Sequence, residues 1–288
     1  MRSIVNEPME KHKMFGHTGR DRLLSKLHKR HSAGVFSPLE MHIAENLVDR
    51  ILDAKKEFKN ILVVSLTPTP IPALVAKVCP TANVTEAILA DASGQVSSLK
   101  AEEGQYDLVI SSLCLHLLDD LPKHLLALGK TLEPDGFLIA NMLGGESFYE
   151  WKESARYVKD TNGIAGPFAD IKDMGALMQT FKFALPVVDK DKLTVTYPKF
   201  ADMYGDMRAH GVANLRPDRG TSLGQISRVQ KMQKAYTKAF SLPDGKLPLT
   251  IEILTLSGWF PHESQQKPLA PGSAEINLDE ALKKKLES

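Results

Sequence analysis

Apolar residues recur every four positions at Leu39, Ile43, Leu47 and Ile51, directly behind Ser37-Pro38-Leu39-Glu40. Serine as cap, proline at the first helical position and glutamate three residues after the cap form a capping box. The spacing therefore predicts a helix with one apolar face from Ser37 to about Phe58, broken at Asn60. Ile61-Leu62-Val63-Val64 then reads as a short buried strand. Three prolines in Thr67-Pro68-Thr69-Pro70-Ile71-Pro72 forbid regular pairing, and a helix is expected around Ala73 to Lys77. Further strands are expected at Asn83–Leu89, Asp107–Ile110 and Phe137–Met142, with a helix at Pro122–Leu132. The turn Glu133-Pro134-Asp135-Gly136 precedes the fourth strand, with Asp-Gly supplying a positive φ.

Strands alternating with helices, the strands uncharged, predict an α/β fold with a mostly parallel sheet covered on both faces. The second half differs. Ile171, Met174, Leu177, Met178 and Phe181 define another amphipathic helix, and Leu193–Tyr197 a strand. Helices near Phe200–Ala209 and Ser222–Phe240 precede a last strand at Ile251–Leu256. A charged amphipathic helix is expected at Leu278–Leu286. The organisation read from this pattern is an N-terminal helical extension over 1–36, a main domain over 37–272 with a helical insertion at 199–245, and a tail over 273–288.

Composition narrows the classes. The chain has 288 residues, 43% of them hydrophobic and 25% charged, which excludes wholesale disorder. Thirty-six basic residues against thirty-five acidic ones give a formal +1, so no global field draws in nucleic acid or an anionic membrane. Two cysteines, Cys79 and Cys114, cannot build a disulfide framework or a cysteine-based zinc site, which fits a reducing compartment. No apolar run reaches the ~18 residues of a spanning helix. Residues 11–31 are basic, but Glu7, Glu10 and Asp21 flank or interrupt them, unlike a mitochondrial presequence. They read as a helix with a solvated basic face, and the expected location is the bacterial cytoplasm, with the mitochondrial matrix as the alternative.

In an open parallel sheet the ligand lies outside the carboxyl ends of the strands. Four loops meet that rule. The first, after Val64, holds Ser65 and Thr67. The second offers Asp91, either an acceptor for two ribose hydroxyls or a turn aspartate. The third, Ser111-Ser112-Leu113-Cys114-Leu115-His116, offers His116 as a base or as a pocket-lining residue, with Cys114 read as core. The fourth, Leu143-Gly144-Gly145-Glu146-Ser147, has two glycines that permit close backbone approach, and Glu146 is expected to open a helix there. His28 and His31 lack a third ligand at metal spacing, so no metal is expected. The row Arg228, Lys231, Lys234 and Lys238 reads as a solvated face, with docking of an acidic partner as the alternative.

Longer strings carry a resemblance. Tyr106-Asp-Leu-Val-Ile-Ser-Ser-Leu-Cys-Leu-His-Leu-Leu-Asp-Asp-Leu-Pro, Leu132-Glu-Pro-Asp-Gly-Phe-Leu and Met142-Leu-Gly-Gly-Glu-Ser are similar to class I S-adenosylmethionine-dependent methyltransferases. Gly166-Pro-Phe-Ala-Asp-Ile-Lys-Asp-Met-Gly, Val195-Thr-Tyr-Pro-Lys-Phe, Gly211-Val-Ala-Asn and Gly258-Trp-Phe-Pro-His-Glu-Ser-Gln-Gln-Lys narrow it. They resemble the mitochondrial complex I assembly factor 5 family and its bacterial relatives, kin to the biotin-pathway malonyl-carrier-protein methyltransferases. The resemblance implies a Rossmann-like methyltransferase fold with an antiparallel last strand and an insertion capping the pocket. It implies S-adenosylmethionine as cofactor, held by Ser65, Thr67, Asp91, Ser111, Leu113 and His116. Gly144, Gly145 and Glu146 would lie on the substrate side.

The chain departs from that family at the first loop. The family's acid and glycine-rich turn are replaced by Ser65-Leu66-Thr67-Pro68-Thr69-Pro70, whose prolines remove backbone donors and fix φ. Only fifteen residues separate Asp91 from Asp107, too few for another helix, strand and acidic loop. Either that strand is missing or Asp91 belongs to it, and alignment forward from Val63 favours Asp91 as the ribose acid. Losing such features weakens cofactor binding by several kcal/mol, while the apolar pattern keeps the fold. The expected role is a protein-binding or assembly function with a degenerate cofactor loop, its partner a respiratory complex I subunit. The alternative is an active methyltransferase, or an arginine hydroxylase acting on such a subunit.

Overall fold

The computed structural model describes residues 17–159, 168–210, 225–263 and 265. The predicted C-terminal helix and the Gly211-Val-Ala-Asn string lie outside the described residues. Ser37 caps α2 (Pro38–Asp53) as the sequence requires: Glu40 N donates to Ser37 Oγ at 3.2 Å, and Ser37 N donates to Glu40 Oε2 at 2.6 Å. Before it lies α1 (His17–Ser32). β1 (Asn60–Ser65) and β2 (Asn83–Ile88) flank α3 (Ile71–Val78), and β3 (Tyr106–Ser112) and β4 (Leu132–Leu143) flank α4 (Leu121–Thr131). Next come α5 (Tyr149–Tyr157), α6 (Ile171–Thr180), β5 (Ala184–Tyr197), α7 (Phe200–Ala209), α8 (Gln225–Phe240) and β6 (Leu247–Trp259).

The six strands form one sheet in the order β2-β1-β3-β4-β6-β5. The first three pairings are parallel, and β6 runs antiparallel to both β4 and β5. Successive side chains of a strand point to opposite faces, and the core follows that rule. Ile61, Val63, Leu108, Ile110 and Ile139 pack against α2 and α3, whereas Leu62, Val64, Val109, Leu138 and Ala140 pack against α1, α4 and α6. A third cluster joins α5, α7 and α8 to β6 through Trp151, Met203, Met207, Tyr236 and Ile251. Asp107 ties the strand starts together by accepting from Lys59 N at 2.5 Å and Asn60 N at 3.0 Å.

Several elements differ from expectation. β5 spans 14 residues, not five, because Asp189-Lys190-Asp191-Lys192 continues it as a charged edge. Between Asp91 and Asp107 there is only the isolated bridge Ala90–Val96, so β2 ends the sheet and no strand lies beyond it among the described residues. The helix after β4 opens at Tyr149, not Glu146, behind Phe148 at φ 62°. The turn expected at 133–136 is instead drawn into β4, which begins at Leu132 and carries a register shift against β3 there, with the positive φ on Asp135 at 61°. Gly136 serves close approach instead, since a Cβ there would lie 2.9 Å from Glu133 O and 3.0 Å from Tyr106 O.

Candidate functional site

The carboxyl ends of β1 and β3 meet under α1, which the sequence reading left as a solvated basic helix. That basic face is solvated at Arg22, Lys26 and Lys29, but the opposite face is buried. Arg20 is only 4% exposed and donates to Asp119 Oδ2 at 2.7 Å. Leu24 and Leu27 are buried, each worth roughly 1.5–3 kcal/mol of burial. Ser25 Oγ donates to Ala92 O at 2.8 Å. Gly94 sits so close beneath α1 that an added Cβ would overlap Asp21 O, and its φ of +86° independently favours glycine. The helix thus crosses the loops that follow β1, β2 and β3.

Its last turn reaches into the cleft. His31, 7% exposed, lies with Nδ1 2.8 Å from Thr67 Oγ1 and Nε2 3.0 Å from Glu40 Oε1. Arg30 Nη2 donates to both Glu40 oxygens at 2.6 and 2.7 Å. Burial alone would raise the Glu40 pKa, but the His31 hydrogen bond, the nearby His210 and the Ser37 amide outweigh it and hold it at about 2. Glu40 is therefore both half of the α2 capping box and the anchor of α1.

The loop after β1 is tied inward. Ser65 Oγ donates to Thr67 O at 2.8 Å, and Leu66 is buried. A helix that starts behind such a loop normally offers free N–H donors to an anion. Here Pro70 stands at the cap without a side-chain hydrogen bond and Pro72 occupies the first turn, so neither position offers an N–H donor.

Across from it, β3 ends in Ser112 and Leu113. Leu113 adopts φ 47°, an unfavourable value for leucine, and its N–H donates to Asn141 Oδ1 at 2.9 Å and Asn141 O at 3.1 Å. His116 and His210 are each 6% exposed. His116 Nδ1 and His210 Nε2 have no hydrogen-bond partner among the described residues. Burial, reinforced by His210, pushes the His116 pKa down to about 3, and burial likewise lowers that of His210. Ser111 is fully buried beneath the loop, and Cys114, also buried, has its thiol pushed up to about 12 by desolvation.

The structure thus brings Ser65, Thr67, Leu113 and His116 to one cavity, shared with His31, Glu40 and His210 and about 60 Å³ in volume. Asp91 is not there. It lines a separate surface depression with His28 and Gln95. Its Oδ1 is occupied by Ser93 N at 2.8 Å, Ser93 Oγ at 2.6 Å and Gln95 N at 3.0 Å, which lower its pKa. The aspartate closes its own turn and follows the strand next to β1, not a further strand. Gly144, Gly145 and Glu146 also lie outside the cavity. Gly144 makes room for Glu252, whose Oε2 would be 2.4 Å from a Cβ at that position. Glu252 Oε2 accepts from Glu146 N at 2.9 Å, while the exposed Glu146 carboxylate pairs with Lys192 at 2.8 Å and Lys190 at 3.4 Å. Those lysines hold the Glu146 pKa down, Lys192 foremost.

Sequence reasoning missed His31, Glu40 and His210 as cavity residues. The signal for Glu40 was present in the capping box. Nothing local marked its second role, because its partners lie on a different helix.

Residues 48–140 match a family described as a methyltransferase domain. The chain is 34% identical over 190 residues to the arginine-hydroxylase NDUFAF5, mitochondrial, of Danio rerio; the match covers 64% of this chain and 59% of that protein. It is 30% identical over 182 residues to the malonyl-[acyl-carrier protein] O-methyltransferase of Halorhodospira halophila, covering 63% of this chain and 61% of that one. The chain therefore spans somewhat over half the length of these relatives. Among solved structures, the [4+2]-cyclase SpnF is similar at TM-score 0.48 and 13% identity, over 85% of this chain and 95% of that one. No helix among the described residues is long and apolar enough to cross a membrane.

S-adenosylmethionine is the cofactor that the family match supports. The two unpartnered imidazole nitrogens are polar enough for such a ligand, but the space is not. Pockets for ligands of that size are typically ~300–1,000 Å³, against about 60 Å³ here. With α1 docked and His31 inserted, the cavity as it stands is smaller than such a pocket. The matched methyltransferase domain and these relatives make the chain similar to class I S-adenosylmethionine-dependent methyltransferases and, among them, to the NDUFAF5 proteins.

Proposed function

We propose that the chain acts in protein binding or assembly on a methyltransferase scaffold, its cofactor loop degenerate and its cleft closed by α1. One observation carries the reading: the cavity at the ends of β1 and β3 is only about 60 Å³, and the hydrogen-bonded His31, Glu40 and Thr67 line it. Opening the cleft requires breaking a buried, charge-assisted set of hydrogen bonds, an opposing term that any ligand must overcome. Pro68, Pro70 and Pro72 of the loop offer no N–H donors, and Asp91 Oδ1 is engaged in its own turn. The resemblance to complex I assembly factors supplies the class of partner: a subunit of a respiratory complex.

Isothermal titration calorimetry of the full chain with S-adenosylmethionine and its demethylated product tests this. The expected result is a dissociation constant weaker than about 100 μM. A low-micromolar constant would overturn the degenerate-site reading and favour an active methyltransferase. Hydroxylation of an arginine, suggested by the name of the NDUFAF5 relatives, calls for an acid free to hold a guanidinium near the cleft. Glu40 is taken by Arg30, and Glu146 by two lysines. That reading therefore gains no support from these two carboxylates.

A further inference from the structure

A second concavity of about 450 Å³ lies between α1 and α7, outside the closed cleft. Four cations line it: Arg22, Lys26 and Arg30 from α1, and Arg208 from α7. No acidic residue is among its lining residues, and its floor includes Leu23 and Leu27. Arg22, Lys26 and Arg208 are exposed. Among the described residues, none of these three has a carboxylate within ion-pair distance, although Arg208 lies over the Tyr204 ring at 5.9 Å. Arg30 gives one nitrogen to Glu40, yet its buried Nε has no partner among the described residues. A balanced chain of formal +1 has thus collected four cations on two facing helices.

We infer that this groove binds an acidic segment of a partner protein, its carboxylates held by Arg22, Lys26 and Arg208 and an apolar side chain set on Leu23 and Leu27. Cations on both walls over an apolar floor match the groove mode by which helix pairs take peptides. Charge complementarity fixes the register and speeds encounter. A nucleic acid fits less well, because no aromatic ring lines the groove for base stacking. An anionic membrane fits less well too, because the cations line a concavity between α1 and α7, not a flat face. The inference rests on the partner-binding reading above, and names the chemistry of that partner.

The test uses the full chain and a fluorescein-labelled peptide alternating glutamate and leucine, followed by anisotropy at low and high ionic strength. Saturable binding is expected, weakened about tenfold or more by Arg22→Glu with Lys26→Glu and by salt. It should be retained in Arg22→Lys with Lys26→Arg. Circular dichroism of the reversal variant confirms that these exposed positions leave the fold intact. Absence of binding up to ~1 mM peptide, or equal binding by the reversal variant, overturns the inference. So does tighter binding of a thymidine oligonucleotide or of phosphatidylserine vesicles through the same residues. Calorimetry with S-adenosylmethionine is independent of this readout: tight cofactor binding would sink the degenerate-site reading and leave the groove result standing.

Discussion

His31 Nε2 lies 3.0 Å from Glu40 Oε1, a contact that joins the end of α1 to the first turn of α2 inside the cleft. Glu40 also accepts from Arg30 and from the Ser37 amide, so removing it leaves a buried imidazole and a helix start without their acceptor. Glu40→Ala is expected to destabilise the chain by about 3 kcal/mol. Urea unfolding reads the loss, and hydrogen exchange should show it concentrated in α1 and the 65–67 loop.

Acid should unfold this chain in two stages. His116 and His124 are kept neutral by burial, with pKa values pushed down to about 3 and about 4. The unfolded chain takes up their protons below pH 6.5 while the folded chain does not, so stability falls as the pH drops from there. Glu40 adds the second stage. Its folded pKa of about 2 lies below the ordinary 4.5, so its contribution is present above 4.5 and lost as the pH falls toward 2. Equilibrium unfolding at a series of pH values checks the order. His116→Asn should reduce the slope between about pH 6 and 4 by about 1.4 kcal/mol per pH unit.

Gly94→Ala is expected to lift α1. The new methyl overlaps Asp21 O, and the φ of +86° penalises any side chain. The loss should be about 2 kcal/mol. Limited trypsin digestion is the sensitive readout, with cleavage after Arg22 and Lys26 accelerated while the sheet stays intact.

Alkylation should distinguish the two thiols. Cys114 is buried with its pKa pushed up to about 12, whereas Cys79 is partly exposed and its pKa only raised by partial burial. Iodoacetamide under native conditions is expected to mark Cys79 slowly and spare Cys114, as read by peptide mass spectrometry. Labelling of both at equal rates would contradict the packing around β3.

Much of the fold was legible because local rules and burial agreed. The capping box at Ser37 and the uncharged runs in β1, β3 and β4 each encode one element, and each forms there, although α2 stops at Asp53, short of Phe58, and β4 starts five residues early at Leu132. β5 was read short because alternating Asp and Lys hides a strand whose two faces are both wet there. The site was less legible. Ser65, Thr67, Leu113 and His116 follow from strand ends alone, and the structure brings them together. Arg20 and His31 do not, because a buried ion or imidazole is defined by a partner far along the chain. Asp91 sits where the strand pattern put it, but Ser93 and Gln95 claim its carboxylate, and short polar residues two to four positions away were the available clue.

The contacts that seat α1 reach far along the chain: Arg20 to Asp119, Ser25 to Ala92, His31 to Thr67. During synthesis this helix emerges before any of the surfaces that receive it. Only its last turn has a nearby receiver, Glu40, so the rest of the helix must wait for the sheet before it can seat, and it can open locally without the sheet unfolding. The segment that seals the cradle is therefore the last to settle on the way in and the first to leave on the way out.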